Sequence, residues 1–99
     1  SEIENEDISL IVLNATGIGG LADRISIRMR YRGFKAGEYG NFSKNNLSES
    51  AVIIRNGQIE KGFMVGRECR INRIYAKTDR RLLNNAVLIL GNDYYEITR

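Results

Sequence analysis

The apolar positions of this chain fall into runs and stripes whose period changes along the sequence, and each change predicts an element. The run Leu10-Ile11-Val12-Leu13 predicts a buried first strand over about Ile8 to Leu13. It breaks at Asn14-Ala15-Thr16 into a turn that holds Gly17, Gly19 and Gly20. The period then becomes helical: Ile18, Leu21, Ala22, Ile25 and Met29 form one stripe, which predicts a helix from about Gly19 to Arg32. Arg24, Arg28, Arg30 and Arg32 lie mostly off that stripe, and Gly33 stands where a left-handed residue would end the helix.

Phe34 to Phe42 alternates as a second strand, and the polar stretch Asn41 to Ser50 (NFSKNNLSES) predicts a mobile loop. Ala51-Val52-Ile53-Ile54-Arg55 is a short strand of high β propensity, and Asn56-Gly57 turns the chain into a second helix over about Gln58 to Arg70. Ile59, Phe63 and Cys69 are its expected inward residues. Gly62 and Gly66, four apart on one face, allow close approach to a sheet while weakening the helix. Ile71 to Lys77 fits either a helix tail or a short extended segment. Thr78 to Asn85 is a charged connector with Leu82 and Leu83 expected to fold beneath it. Ala86-Val87-Leu88-Ile89-Leu90 is the last strand, ended by Gly91-Asn92-Asp93 and followed by Tyr94 and Tyr95.

The order β-α-β-β-α-β predicts an α+β fold: a single-domain two-layer sandwich of the split βαβ, ferredoxin-like kind, four strands with two helices on one face. In that arrangement strands one and three are central and parallel. The last strand lies antiparallel beside strand one, so Gly91 to Tyr95 falls at the opposite end from the glycine turn. Residues 1–7 are expected as a disordered acidic lead-in, 8–95 as the domain and 96–99 as a tail.

Charge changes this picture little but unevenly. Four of the twelve acids sit in the first seven residues, so the remainder holds fifteen bases against eight acids, a net +7. A basic body of that kind suits nucleic acid, anionic lipid or anionic surface polymers. No nucleic-acid-binding signature accompanies it, and specific nucleic-acid binding is not expected. With no histidine, the Ser-His-Asp and Cys-His mechanisms are excluded, as is a conventional zinc site. The lone Cys69 rules out an intramolecular disulfide, and among apolar neighbours it reads as a small buried hydrophobe. No run reaches the roughly 18 apolar residues of a membrane span.

The strand, glycine turn and helix start also satisfy Gly17-x-Gly19-x-x-Ala22, the pattern of dinucleotide-binding turns, with Glu38 in the second strand as a candidate ribose acid. The ordinary reading of the same residues is geometric: glycines permit positive φ, while Asn14 or Thr16 caps the turn or helix. No Gly-Lys-Ser/Thr follows, so a P-loop is excluded.

Three segments together resemble the LytR cell-envelope-related C-terminal domain family over about residues 8 to 95. They are Asn14-Ala15-Thr16-Gly17-Ile18-Gly19-Gly20-Leu21-Ala22, Arg32-Gly33-Phe34 and Leu90-Gly91-Asn92-Asp93-Tyr94. That family opens on a strand ending in Asn-Gly-Thr/Ser-Gly, continues with Gly-Leu-Ala in the helix and Gly-Phe or Gly-Tyr before the next strand, and closes on Leu-Gly-x-Asp-Tyr. The matching positions are Asn14, Thr16, Gly17, Gly20, Leu21, Ala22, Gly33, Gly91, Asp93 and Tyr94. Ala15 stands where the family usually has glycine.

The resemblance implies a non-catalytic, extracytoplasmic module of the bacterial cell envelope, without catalytic residues, cofactor or metal. Its partners would be a wall glycopolymer or peptidoglycan, or an envelope protein, and any membrane attachment would run through an anchor outside these residues. The candidate anion-binding set is Asn14, Thr16, Gly17, Gly19, Gly20, Arg24 and Arg28. The alternative is a small nucleotide- or phosphate-binding domain that uses the Gly17–Gly20 turn.

Overall fold

A computed structural model describes residues 2–77 and 84–98. It contains strands β1 (Ser9–Asn14), β2 (Lys35–Asn41), β3 (Ala51–Ile54), β4 (Ile74–Ala76) and β5 (Ala86–Leu90), with helices α1 (Leu21–Tyr31) and α2 (Ile59–Cys69). They form a mixed five-stranded sheet in the order β2-β1-β5-β3-β4. β1 is parallel to both β2 and β5, while β3 is antiparallel to β5 and parallel to β4. The molecule is therefore two βαβ units, β1-α1-β2 and β3-α2-β4, running in opposite directions and joined by the last strand between them.

This topology corrects the ferredoxin-like expectation. The fold class and the pair of helices hold, but the sheet has five strands, and the ambiguous segment after α2 supplies the extra one. β2 sits beside β1, and β5 lies parallel to β1, so Gly91 to Tyr95 emerges at the same end as the glycine turn. The physical reason lies in β5. All five of its residues are buried, and a strand apolar on both faces is most stable between two neighbours.

Both helices cover one face of the sheet. Leu10, Val12, Val52 and Leu88 meet Leu21, Ile25 and Met29 of α1 together with Val65 and Cys69 of α2. On the other face Val87 and Ile89 pack with Ile11, Leu13, Phe42, Leu47 and Ile53. α1 forms because its apolar stripe repeats every three or four residues. It stops at Gly33, φ +100°, where the Gly33 amide donates to the Arg30 carbonyl (2.9 Å) and the Phe34 amide to Met29 (3.1 Å).

In α2 the inward residues are Gly62, Val65, Gly66 and Cys69. A Cβ on Gly62 would stand 2.9 Å from Ile54 Cδ1, and one on Gly66 would stand 2.6 Å from Ile74 Cδ1. The two glycines thus let the helix lie directly on β3 and β4. That close seat rotates Ile59 and Phe63 outward, against expectation, to 56% and 51% exposure. Asn56 and Gly57 both have positive φ, and the Gln58 amide donates to Arg55 O (3.0 Å) across them.

The ends of the chain are more structured than their composition suggests. Residues expected as a disordered lead-in carry a short 3-10 helix, Asn5–Asp7, and Ile3 packs on the core. Asn5 Nδ2 donates to the Arg32 carbonyl (2.7 Å), which ties this segment to the end of α1. At the other end a 3-10 turn, Tyr94–Glu96, folds the chain back, and Ile97 of the expected tail is buried in the core. The expected fold of Leu82 and Leu83 lies outside the described residues.

Candidate functional site

At the C-terminal end of β1 the backbone leaves the sheet through Asn14, Ala15 and Thr16. Asn14 and Thr16 are buried, and their side chains close the turn on itself. Asn14 Oδ1 accepts from the Thr16 amide (2.9 Å) and hydroxyl (2.6 Å), while its Nδ2 donates to the Ile18 carbonyl (2.6 Å). The Ile18 amide donates in turn to Thr16 Oγ1 (3.0 Å). Of the candidate anion-binding residues, Asn14 and Thr16 are therefore occupied as turn-formers. α1 itself has no side-chain N-cap: its N-cap position is Gly20, in the left-handed region.

Gly17 (φ +80°) and Gly20 (φ +76°) hold backbone that L residues rarely adopt, and Gly17 to Gly20 are exposed. The amides of Gly19, Gly20, Ala22 and Asp23 find no acceptor among the described residues. Arg24 folds back over this turn, its Nη1 3.5 Å from the Gly19 carbonyl. Open amides, the positive end of a helix and a guanidinium converge here, a combination that favours an anion. Asp23 in the first helical turn tempers that field.

Arg28 and Arg32 continue along α1 and reach the C-terminal segment. Arg28 Nη2 donates to the Thr98 carbonyl (3.0 Å), and Arg32 Nη2 donates to Ile97 (3.1 Å). Arg28 of the candidate anion-binding set is thus partly spent, with Arg32, on clamping the C-terminal segment. Arg24, Ile27, Arg28 and Tyr31 of α1, with Tyr94 and Thr98 of that segment, line an open groove of about 550 Å³. Tyr31 is 89% exposed. Of the aromatic and aliphatic component of this groove, Tyr94 was a family-motif position, while Ile27 and Tyr31 were not among the candidate site residues. The i, i+3, i+4, i+7 spacing of Arg24, Ile27, Arg28 and Tyr31 was the available signal.

The second glycine motif meets the first. The Ala15 amide donates to the Leu90 carbonyl (2.9 Å), the Leu47 amide to Ala15 (3.1 Å), and the Asn92 amide to Leu47 (2.7 Å). The loop before β3 is thereby laced between the two motifs. Gly91 is shaped by contact: a Cβ there would stand 2.6 Å from the Glu49 carbonyl oxygen and 2.7 Å from the Ser50 nitrogen. Tyr94 closes the turn, its amide donating to Gly91 O (3.0 Å).

The strand register and this lacing also bear on the dinucleotide alternative. The sheet does supply three parallel strands and sets β2 beside β1, so strand order no longer argues against it. Glu38, however, pairs with Ile11 in mid-strand, whereas Asn41 occupies the strand end opposite Asn14. A ribose acid belongs at that end. The crest between β1 and β5, where a pyrophosphate would extend, is filled by Leu47 and its hydrogen bonds.

Cys69 lies buried with its Sγ 3.8 Å from Met29 Sδ, and burial pushes its thiol from 9.0 up to about 12. It is not a nucleophile at neutral pH. Among the described residues no group of three or more metal-ligating side chains gathers. None of their helices is long and apolar enough to cross a membrane.

A small α+β domain whose two glycine motifs meet at one end of the sheet defines the class. The chain belongs to the LytR_C family, described as LytR cell envelope-related transcriptional attenuator, whose profile matches residues 7–94. Among solved structures it is similar to the soluble domain of a conserved hypothetical secreted protein from Mycobacterium marinum. The TM-score is 0.78 at 18% identity, covering 91% of this chain and 62% of that domain. The C-terminal domain of RV0431 is also similar, with TM-score 0.51, 20% identity and coverage of 86% and 72%. At these identities the likeness is one of fold. Among curated proteins none matches significantly.

Proposed function

We propose that this chain is a non-catalytic, extracytoplasmic module of the cell envelope that holds an acidic wall glycopolymer along the outer face of α1. The observation that carries the reading is the groove between α1 and the C-terminal segment, in which Arg24 and Arg28 alternate with Ile27 and Tyr31. Guanidinium groups pair with phosphate or carboxylate oxygens in two-point geometry. Exposed aromatic and aliphatic surfaces pack against the C–H faces of sugar rings, so the two side-chain types together suit a charged glycan better than a bare phosphate. Membership of a cell-envelope-related family and the fold shared with a secreted protein support the location. A buried Cys69 and a chain without histidine leave this module no thiol- or histidine-based mechanism.

The test is co-sedimentation of the 99-residue chain with purified cell-wall sacculi, before and after acid extraction removes the anionic glycopolymer. Retention by intact sacculi, lost on extraction and weakened by salt, is the expected result. Equal retention by both would point to peptidoglycan itself. No retention at low salt would end the polymer reading and leave an envelope protein as the partner.

A further inference from the structure

We propose that the flank between α2 and the β4 edge receives an acidic, extended peptide segment, which adds to the sheet as a sixth strand. β4 is an edge strand. Its pairing with β3 uses the Arg73 carbonyl, which accepts from Val52 N (2.8 Å), and the Lys77 amide, which donates to Ile54 O (2.9 Å). Main-chain groups alternate in direction along a parallel strand, so those of Ile74 and Ala76 face outward. Above that edge α2 overhangs a groove of about 490 Å³, with Gly66, Ile71 and Ile74 beneath, Phe63 as a wall, and Arg67 and Arg70 at the rim.

Three observations select the occupant. Ile59 and Phe63 are exposed one helical turn apart, so an apolar side chain has a surface to cover. Neither the Arg67 nor the Arg70 side chain has a hydrogen-bond or ion-pair partner among the described residues, and no acid lines the groove, so the rim complements carboxylates. Arg70 also keeps a left-handed backbone (φ +60°) at a helix end where glycine is the favoured residue. A bilayer would leave the outward main-chain groups of β4 unsatisfied, whereas an added strand pairs with them.

The probe is the blocked peptide Glu-Thr-Leu-Thr-Glu, whose alternation sets both carboxylates and the leucine on one side. Titrated into the ¹⁵N-labelled chain, it should shift the amides of Ile74 to Ala76 and those around Phe63, Arg67 and Arg70. A version N-methylated at alternate amides should fail, as should Lys-Thr-Leu-Thr-Lys. Arg70→Gly, which suits the left-handed backbone, keeps the fold testable and with Arg67→Gln should weaken binding by about tenfold or more. Equal binding of the N-methylated or lysine peptide would overturn the proposal. So would shifts confined to other surfaces, no response at millimolar peptide, or Phe63-dependent sedimentation with phosphatidylglycerol vesicles in place of peptide binding.

Discussion

Asp93 holds Ser50 at two points: its Oδ1 accepts from the Ser50 amide at 2.8 Å and from the Ser50 hydroxyl at 2.6 Å. The same hydroxyl accepts from the Gly91 amide at 2.8 Å. One carboxylate thereby fixes the entry into β3 against the exit from β5, and Ser50 is buried. Asp93→Ala should cost about 1.5–3 kcal/mol, because a buried amide and hydroxyl lose a charged acceptor. Asp93→Asn keeps an oxygen in place and should cost less. Urea unfolding of the pair measures the difference.

The glycines should separate by mechanism. Gly17 has open space around a Cβ but a φ of +80°, so Gly17→Ala should cost about 1–2 kcal/mol and Gly17→Asn less. Gly91 faces the Glu49–Ser50 backbone with no room, and Gly91→Ala should cost at least about 3 kcal/mol. Thermal denaturation ranks the three. Equal losses at Gly17 and Gly91 would contradict the crowding argument.

Cys69 makes stability fall at alkaline pH. Its folded value of about 12 lies above the ordinary 9.0. Between those values the unfolded chain has released a proton that the folded chain retains, so stability decreases as pH rises. The contribution is complete below about 9 and is lost at up to roughly 1.4 kcal/mol per pH unit above it. Cys69→Ala should flatten that part of the pH profile in chemical denaturation, whatever its cost near neutral pH.

The C-terminal clamp should matter to folding. Arg32 Nη2 holds the Ile97 carbonyl, and its Nη1 lies 4.0 Å from a Glu68 carboxylate oxygen, so it joins α1, α2 and the final turn. Ending the chain at Glu96 removes the buried Ile97 and should cost about 2–4 kcal/mol. Arg32→Ala should reproduce only part of that, about 1 kcal/mol. A truncated chain as stable as the whole would show that Ile97 contributes no core packing.

Much of this arrangement was legible from local pattern, and the misses have physical causes. The β1 run, the Gly33 cap and the Leu21, Ala22, Ile25 and Met29 part of the α1 stripe follow from periodicity within one element, whereas Ile18, expected in that stripe, precedes the helix and is exposed. Strand order does not follow from periodicity, because the βαβ rule leaves open where a final strand inserts. The clue was Ala86 to Leu90, apolar at every position and so suited to the centre of the sheet. In α2 the apolar positions Ile59 and Phe63 drew the expected inner face toward themselves. Gly62 and Gly66 were the better guide, since close approach at one face turns the neighbouring flank out. β4 is three residues long, too short for any period to register. For the candidate site, Gly17 to Gly20 and Arg24 were visible from the motif. The commitment of Arg28 to Thr98 depends on a contact seventy residues away in the chain.

That commitment sets the last expectation. Arg24 is exposed, and its side-chain hydrogen bond among the described residues is a long one to the Gly19 carbonyl (3.5 Å), so Arg24→Ala should change stability by less than about 0.5 kcal/mol. Arg28 carries part of the C-terminal clamp, so Arg28→Ala should lower stability as well as charge. If the outer face of α1 holds an acidic glycan, both variants should weaken retention on sacculi and reduce its salt dependence, with Arg24→Ala doing so at unchanged melting temperature. Tyr31→Ala should weaken retention while leaving the salt dependence alone, because it removes stacking surface and no charge. A Tyr31 variant that binds as tightly as the parent chain would reduce the site to simple electrostatics around the glycine turn.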